Sequence, residues 1–363
     1  EFFHIIPPAT KLMAVIKSNA YGHGLVATAR EIVNAKGFTD KGWFGVDSIV
    51  EALRLRREGI VNPMLVLGFT LPSRMEDAAR EHISMSISNF DAMDAVSNMA
   101  VRPAIHVKLD TGMHRQGFLD RDMGRLIACM KKKRIAPEGI FTHFASAKDA
   151  AYPTYTLTQL SDFKKAVSRI EAAGFSDMIR HSAATGGTLL FPDAHLDMVR
   201  IGMGLYGYFP SEETKNAKPS ARSKGRNIQI RLKPVLTWKT VISEIKRIPK
   251  GSFVGYDLTE TVHRATTIAV VPIGYWHGYD RGFSSQGYML ARGKRARVCG
   301  RVSMDMTVID VTDIPMVRSG DEVVIIGNQG KETINAEDFG RAIVTSAYEA
   351  LTRINPLIKR III

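Results

Sequence analysis

Short apolar runs recur through the first two hundred residues, at 12–17, 43–46, 64–67, 83–87, 104–109, 139–143, 178–181 and 198–201. Between them, residues 25–35, 50–58, 91–99 and 157–173 carry helix-like patterns. Eight strands alternating with helices predict a parallel α/β domain, and specifically a (β/α)8 barrel. A doubly wound open sheet is the alternative that periodicity leaves open. Residues 211–231 are polar and basic and read as a connection. Beyond them the rhythm changes: 235–248, 266–273, 288–311 and 322–326 are rich in Val, Ile and Thr with near-alternation, and a helix is visible only at 336–351. The expected division is therefore a barrel over 1–225 and a mostly β domain over 226–363.

Composition narrows the class. The chain has 363 residues, 45% hydrophobic and 23% charged, enough for two domains with substantial cores. Cys129 and Cys299 give neither a disulfide framework nor metal-ligand spacing, which makes a reducing cytoplasm the expected setting and a metal site unexpected. No apolar stretch of about 18 residues exists, so no transmembrane helix is expected. Net charge is +13, with basic clusters at 131–134 and 215–231. The first follows an amphipathic segment and looks like a helix end, where cations complement the dipole. The second lacks interleaved aromatics. Neither supports a nucleic-acid surface, although an anionic ligand would benefit from the same field.

Candidate chemistry gathers at predicted strand ends. Lys17 closes the run Leu12-Met13-Ala14-Val15-Ile16 and opens Lys17-Ser18-Asn19-Ala20-Tyr21-Gly22-His23-Gly24. Half-sheltering an amine there favours its neutral, nucleophilic form. Gly202-Met203-Gly204-Leu205-Tyr206-Gly207 is a G-x-G-x-x-G string after a strand, but Phe209-Pro210-Ser211 ends the regularity where a dinucleotide fold needs a helix. The glycines fit better as a phosphate cradle after the eighth barrel strand, with Ser182 after the seventh. Arg200, His143 and Arg115 each have a bland reading, as an ion pair, a core histidine and a loop residue. One Lys, one His and two Arg at carboxyl ends of strands nevertheless occupy the face where barrel active sites are built.

Taken together, Ala14 to Gly24, Lys108-Leu109-Asp110-Thr111-Gly112-Met113-His114-Arg115, Arg200 to Gly207, Val254-Gly255-Tyr256, Ile273 to Gly278 and Gly300 to Asp305 resemble the fold-type III pyridoxal-phosphate racemases, most closely the alanine racemase family. The resemblance spans nearly the whole chain. It implies that Lys17 holds pyridoxal 5'-phosphate and is one of two bases, with Tyr256 the second on the opposite face. It implies that Arg200 faces the pyridine nitrogen, with His143 in its network. Arg115 lies near the cofactor and the substrate carboxylate, and Lys108 matches a lysine that is often carbamylated. Tyr21, Ser182, Gly202, Met203 and Tyr206 match the phosphate-binding set. Tyr275, Met304 and Asp305 match substrate-side residues that a second subunit contributes. The implied protein is a head-to-tail homodimer with shared sites, converting L-alanine to D-alanine for peptidoglycan synthesis.

Three departures from the family accompany the match. The chain opens on Glu1, later than the family usually begins, which implies a missing first strand and helix. His181-Ser182 stands for the usual Asn-Ser, and Met178 for a nearby histidine, so support for Arg200 is expected to differ. Asn355 or Pro356 stands where alanine racemases carry a tyrosine, which opens volume, offers an amide and brings serine or a longer amino acid into range. A decarboxylase of the same fold type and a non-catalytic pyridoxal-phosphate carrier are the competing readings. Arg200, the lack of a cysteine near the barrel mouth, and Tyr256 on a second domain speak against them.

Overall fold

A computed structural model describes residues 1–38, 42–149, 151–216, 222–223, 226–227 and 230–363, with the side chains of 222, 223, 226 and 227 excepted. Two compact units emerge, one formed by Glu1–Ala20 and Leu25–Lys233, the other by Tyr21–Gly24 and Pro234–Ile363.

The first unit is the predicted barrel. Its strands are β1 (Lys11–Val15), β2 (Gly42–Val46), β3 (Met64–Val66), β4 (Ser84–Ile87), β5 (Ile105–Lys108), β6 (Gly139–Phe141), β7 (Ile179–His181) and β8 (Met198–Ile201). All pair in parallel in the order β7-β6-β5-β4-β3-β2-β1-β8. Asp197 N donates to Arg180 O at 3.0 Å and Arg200 N to Ala183 O at 2.9 Å, which closes the ring between β7 and β8. Every residue of β2, β5 and β8 is buried, as expected for parallel strands covered on both faces. Burying side chains such as Phe44, Ile87, Val107 and Ile201 stabilises the unit by about 1.5–3 kcal/mol apiece. Helix starts follow capping chemistry: Ser48 Oγ accepts from Glu51 N at 3.3 Å and Asn89 Oδ1 from Ala92 N at 2.8 Å.

Several expectations are corrected. β1 ends at Val15, so Lys17 lies beyond the strand rather than closing it. Residues 212–216 of the expected connection form a short helix, Glu212–Asn216. Residues 217–221, 224–225 and 228–229 of the basic stretch lie outside the described residues.

In the second unit, Glu244–Ile248, Thr266–Val271 and Thr307–Asp310 form a three-stranded antiparallel sheet. Another sheet orders Trp238–Val241, Glu322–Gln329, Tyr288–Ala291 and Lys294–Arg297, with Glu332–Ile334 paired to Glu322–Gln329. The single late helix is in fact two, Ala336–Ala342 and Ala347–Thr352. Val344 at φ 57° breaks the run, and Ser346 Oγ restarts it by accepting from Glu349 N. No Gly or Pro marks the break, which is why apolar spacing alone merges the two. Phe339 packs on Phe283 with centroids 4.3 Å apart, and Tyr279 stacks on Phe283 at 4.6 Å.

Candidate active site

Lys17 begins a left-handed turn. Ser18, Asn19, Ala20 and Tyr21 hold φ of 55°, 55°, 54° and 52°. Each non-glycine residue there costs about 1–2 kcal/mol, so neighbours must hold the conformation. Ala20 N donates to Ile16 O at 2.8 Å, and Asn19 Oδ1 accepts from Leu25 N at 2.9 Å. The Glu51 carboxylate spans two loops: Oε1 accepts from Asn19 N at 3.0 Å and Oε2 from Asp47 N at 2.9 Å. Lys17 Nζ lies 3.7 Å from Asp47 Oδ1, and with more than a third of its side chain exposed that pair contributes little.

Arg200 on β8 is 3% exposed and is held by four acceptors. Its guanidinium donates to Thr142 O at 2.8 Å, Ser182 O at 2.9 Å, His181 Nδ1 at 2.9 Å and His143 Nδ1 at 3.2 Å. Among the described residues no carboxylate joins them. Burial pulls Arg200 down to about 9, so it keeps its charge at neutral pH. Burial, then the neighbouring cations beginning with Arg200, lowers His143 to about 3. The contacts run on: His181 Nε2 lies 2.8 Å from His106 Nδ1, and His106 Nε2 lies 3.2 Å from Glu138 Oε2, which also accepts from Ser84 Oγ at 2.5 Å. Support for Arg200 therefore comes from His181, three positions beyond Met178, where the family's histidine would stand.

Lys108 closes β5 and is buried, its Nζ donating to Gln116 Oε1 at 3.1 Å. Burial, then the Arg115 and Arg200 charges, brings Lys108 down to about 8. It lines a small cavity with Ser86 and Thr70, whose buried hydroxyls find no partner among the described residues. Arg115 is exposed at the end of a loop organised by Asp110, whose Oδ1 accepts from Gly112, Met113 and His114 N and whose Oδ2 accepts from Arg115 N at 3.1 Å.

The glycine string after β8 folds as a short 3-10 helix, Met203–Tyr206, and lacks the long helix that a dinucleotide reading needs. Thr185 Oγ1 accepts from Gly202 N at 3.1 Å and Gly204 N at 3.4 Å, tying the string to β7's following segment. Ser182 Oγ donates to Ala194 O at 2.9 Å and Tyr206 Oη to Val15 O at 3.2 Å. Hydroxyl rotors can turn such donors toward a phosphate oxygen.

In the second unit Tyr256, Tyr275, Met304 and Asp305 are all exposed, Tyr256 by 68%. Tyr275 N donates to Ser303 O and Trp276 N to Met304 O, both at 3.0 Å, which brings the 275 turn and the 304 loop together. The Asn355 amide, expected to offer polar contacts, makes two hydrogen bonds within its own unit. Nδ2 donates to Trp276 O at 2.9 Å and Oδ1 accepts from Leu357 N at 2.9 Å.

Lys17, Lys108, Arg115 and Arg200 share one electrostatic neighbourhood around His143, with Asp47 and Asp110 as nearby anions. That surplus of cations around a half-exposed amine fits an anionic aldehyde cofactor such as pyridoxal phosphate. Lys17 would hold it, and Arg200 would meet its ring as a charged donor. Glu51, Thr185, His106 and Glu138 were not singled out from sequence. A usable signal existed for His106, which shares an inward face with Lys108 two residues on.

Comparison with known proteins agrees with this arrangement. The alanine racemase N-terminal domain profile matches residues 3–210, and the C-terminal domain profile matches 235–362. The alanine racemase of Leptospira interrogans serovar Lai is 38% identical over 100% of this chain and 92% of its own length. That of Symbiobacterium thermophilum is 36% identical over 98% and 91%. Among solved structures, Bacillus anthracis alanine racemase with bound L-Ala-P superposes with a TM-score of 0.87 at 30% identity, covering 97% of this chain and 88% of that one. The enzyme from D-cycloserine-producing Streptomyces lavendulae gives 0.85 at 32% identity, covering 97% and 90%. A barrel with a cationic strand-end cluster, a separate β unit and full-length similarity on this scale together mean that the chain belongs to the alanine racemase family, a family of isomerases.

Proposed function

We propose that this chain interconverts L- and D-alanine with pyridoxal phosphate as cofactor, using Lys17 and Tyr256 as its two bases. The carrying observation is the Arg200 guanidinium, buried among neutral histidines and carbonyls with no carboxylate beside it among the described residues. Bound cofactor supplies an electron-withdrawing ring that stabilises negative charge at the substrate α-carbon. A donor that stays charged cannot hand the ring nitrogen a proton cheaply, which limits that stabilisation and suits proton return over transamination.

Lys17 holds the cofactor and accepts or returns the α-proton on one face, and Tyr256 does so on the other. A phenol is a weak proton acceptor at neutral pH, so nearby charge must assist Tyr256. Tyr21, Ser182, Gly202, Met203 and Tyr206 bind the phosphate. Arg115 orients the substrate carboxylate, and Lys108, carbamylated at its amine, would turn from a repelling cation into an acceptor for Arg115. Tyr256, Tyr275, Met304 and Asp305 serve the site of a second subunit in a head-to-tail homodimer. Tyr275, Trp276 and Met304, exposed on adjoining turns, offer apolar side chains suited to burial against another chain. The D-alanine formed would supply cytoplasmic precursors of peptidoglycan. Alanine is the leading substrate and serine the alternative, because the Asn355 amide already makes two hydrogen bonds within its own unit while keeping a second N–H and a second lone pair.

The deciding experiment incubates cofactor-loaded protein with L-alanine, and separately L-serine, in heavy water. The α-proton is followed by NMR and the D-enantiomer by chiral chromatography. Exchange with inversion, faster for alanine, is expected. Exchange without inversion would remove Tyr256 from the mechanism, and no exchange with cofactor bound would turn the protein into a carrier.

A further inference from the structure

Tyr275 and Trp276 project into solvent, 44% and 58% exposed, so side-chain packing does not fix their turn. Backbone hydrogen bonds do, from two sides. On one side lie Ser303 O and Met304 O, as described above. On the other lies Asn355, only 8% exposed, whose N donates to His277 O at 3.1 Å while its Nδ2 holds Trp276 O. The approach is close: a Cβ on Gly278 would stand 2.5 Å from Arg353 O.

Five residues on, Arg360 forms a second anchor. Nε and Nη2 donate to Gly22 O at 3.0 and 2.7 Å, and Nη1 donates to Asn355 O at 2.6 Å. Among the described residues it forms no salt bridge, so its charge is spent entirely on carbonyls. Gly22 follows Tyr21 and could not carry a side chain, since a Cβ would fall 2.0 Å from Leu351 O.

We propose that Asn355 and Arg360 form a clamp that positions two tyrosines at once: Tyr275 on the substrate side, through Trp276 and His277, and Tyr21 on the cofactor-phosphate side, through Gly22. Neither clamp residue touches substrate or cofactor. The inference rests on the roles proposed above for Tyr21 and Tyr275.

The test is a crossed comparison of two conservative variants in the cofactor-loaded dimer. Asn355→Asp keeps the acceptor for Leu357 N but replaces the donor to Trp276 O by a carboxylate oxygen facing that carbonyl. It should raise the KM for alanine about tenfold with a smaller change in kcat, and leave cofactor affinity alone. Arg360→Lys keeps the charge but cannot fork onto Gly22 O. It should weaken cofactor binding in equilibrium dialysis about tenfold while KM at saturating cofactor stays near wild type. Wild type that binds cofactor yet leaves alanine untouched sinks the proposed function. Active wild type with both variants unchanged, or both losing KM and cofactor affinity in parallel, sinks the clamp alone.

Discussion

His181 accepts a hydrogen bond from Arg200 through Nδ1 at 2.9 Å, and that contact decides where every proton in the barrel's histidine pair resides. A guanidinium only donates, so His181 Nδ1 is bare and its proton sits on Nε2. That proton goes to His106 Nδ1, which leaves His106 protonated on Nε2 and facing Glu138. Burial holds both rings below their ordinary range, and they stay neutral. Replacing His181 by Phe strands a guanidinium N–H and the acceptor on His106. The expected loss is about 1–3 kcal/mol for each orphaned group, read by urea unfolding. Turnover should fall with it, and Glu138→Gln, which keeps an acceptor for His106, should cost less.

Glu51→Gln tests the left-handed turn after Lys17. One carboxylate oxygen becomes an NH2 facing either Asn19 N or Asp47 N, donor against donor. A loss of about 1–3 kcal/mol is expected, with slower borohydride trapping of cofactor on Lys17. Trapping at the wild-type rate would show that the turn holds itself.

Tyr256→Phe removes one hydroxyl from an exposed side chain and should leave stability unchanged. If Tyr256 is a base, racemisation falls by about 10²–10⁴ while cofactor binding persists. Normal racemisation by the variant ends the two-base assignment. Lys17→Ala should abolish cofactor trapping altogether.

Lys108 predicts a pH dependence of defined sign. Its folded value of about 8 lies below the ordinary 10.5, so between those limits the unfolded chain binds the extra proton. Stability of the unmodified protein should rise with pH across that window and be flat, for this group, below it. The slope should vanish in Lys108→Met. Carbamylation needs the neutral amine, so ¹³C-bicarbonate should label Lys108 increasingly as pH passes 8, checked by carbon NMR.

The strand-and-helix rhythm of residues 12–201 was readable because parallel strands buried on both faces, such as β2 and β5, must be apolar throughout. The change to Val, Ile and Thr near-alternation marked the second unit for the converse reason, since antiparallel strands with one face toward water alternate buried and more exposed positions. Lys17 and Arg200 were singled out because strand ends present polar groups at one face of a barrel, whereas Lys108 was singled out only by the resemblance. The break at Val344 was not, since it carries no turn residue, and neither was the left-handed turn at Ser18 to Tyr21, whose residue types do not demand positive φ. Glu51, His181 and Asn355 acquire their roles from hydrogen bonds to residues 32, 19 and 79 positions away. Local pattern determined which elements form and where charge would gather. Only the tertiary structure decided which of those polar groups meet, because a hydrogen bond depends on distance and direction in space, and neither is written in sequence separation.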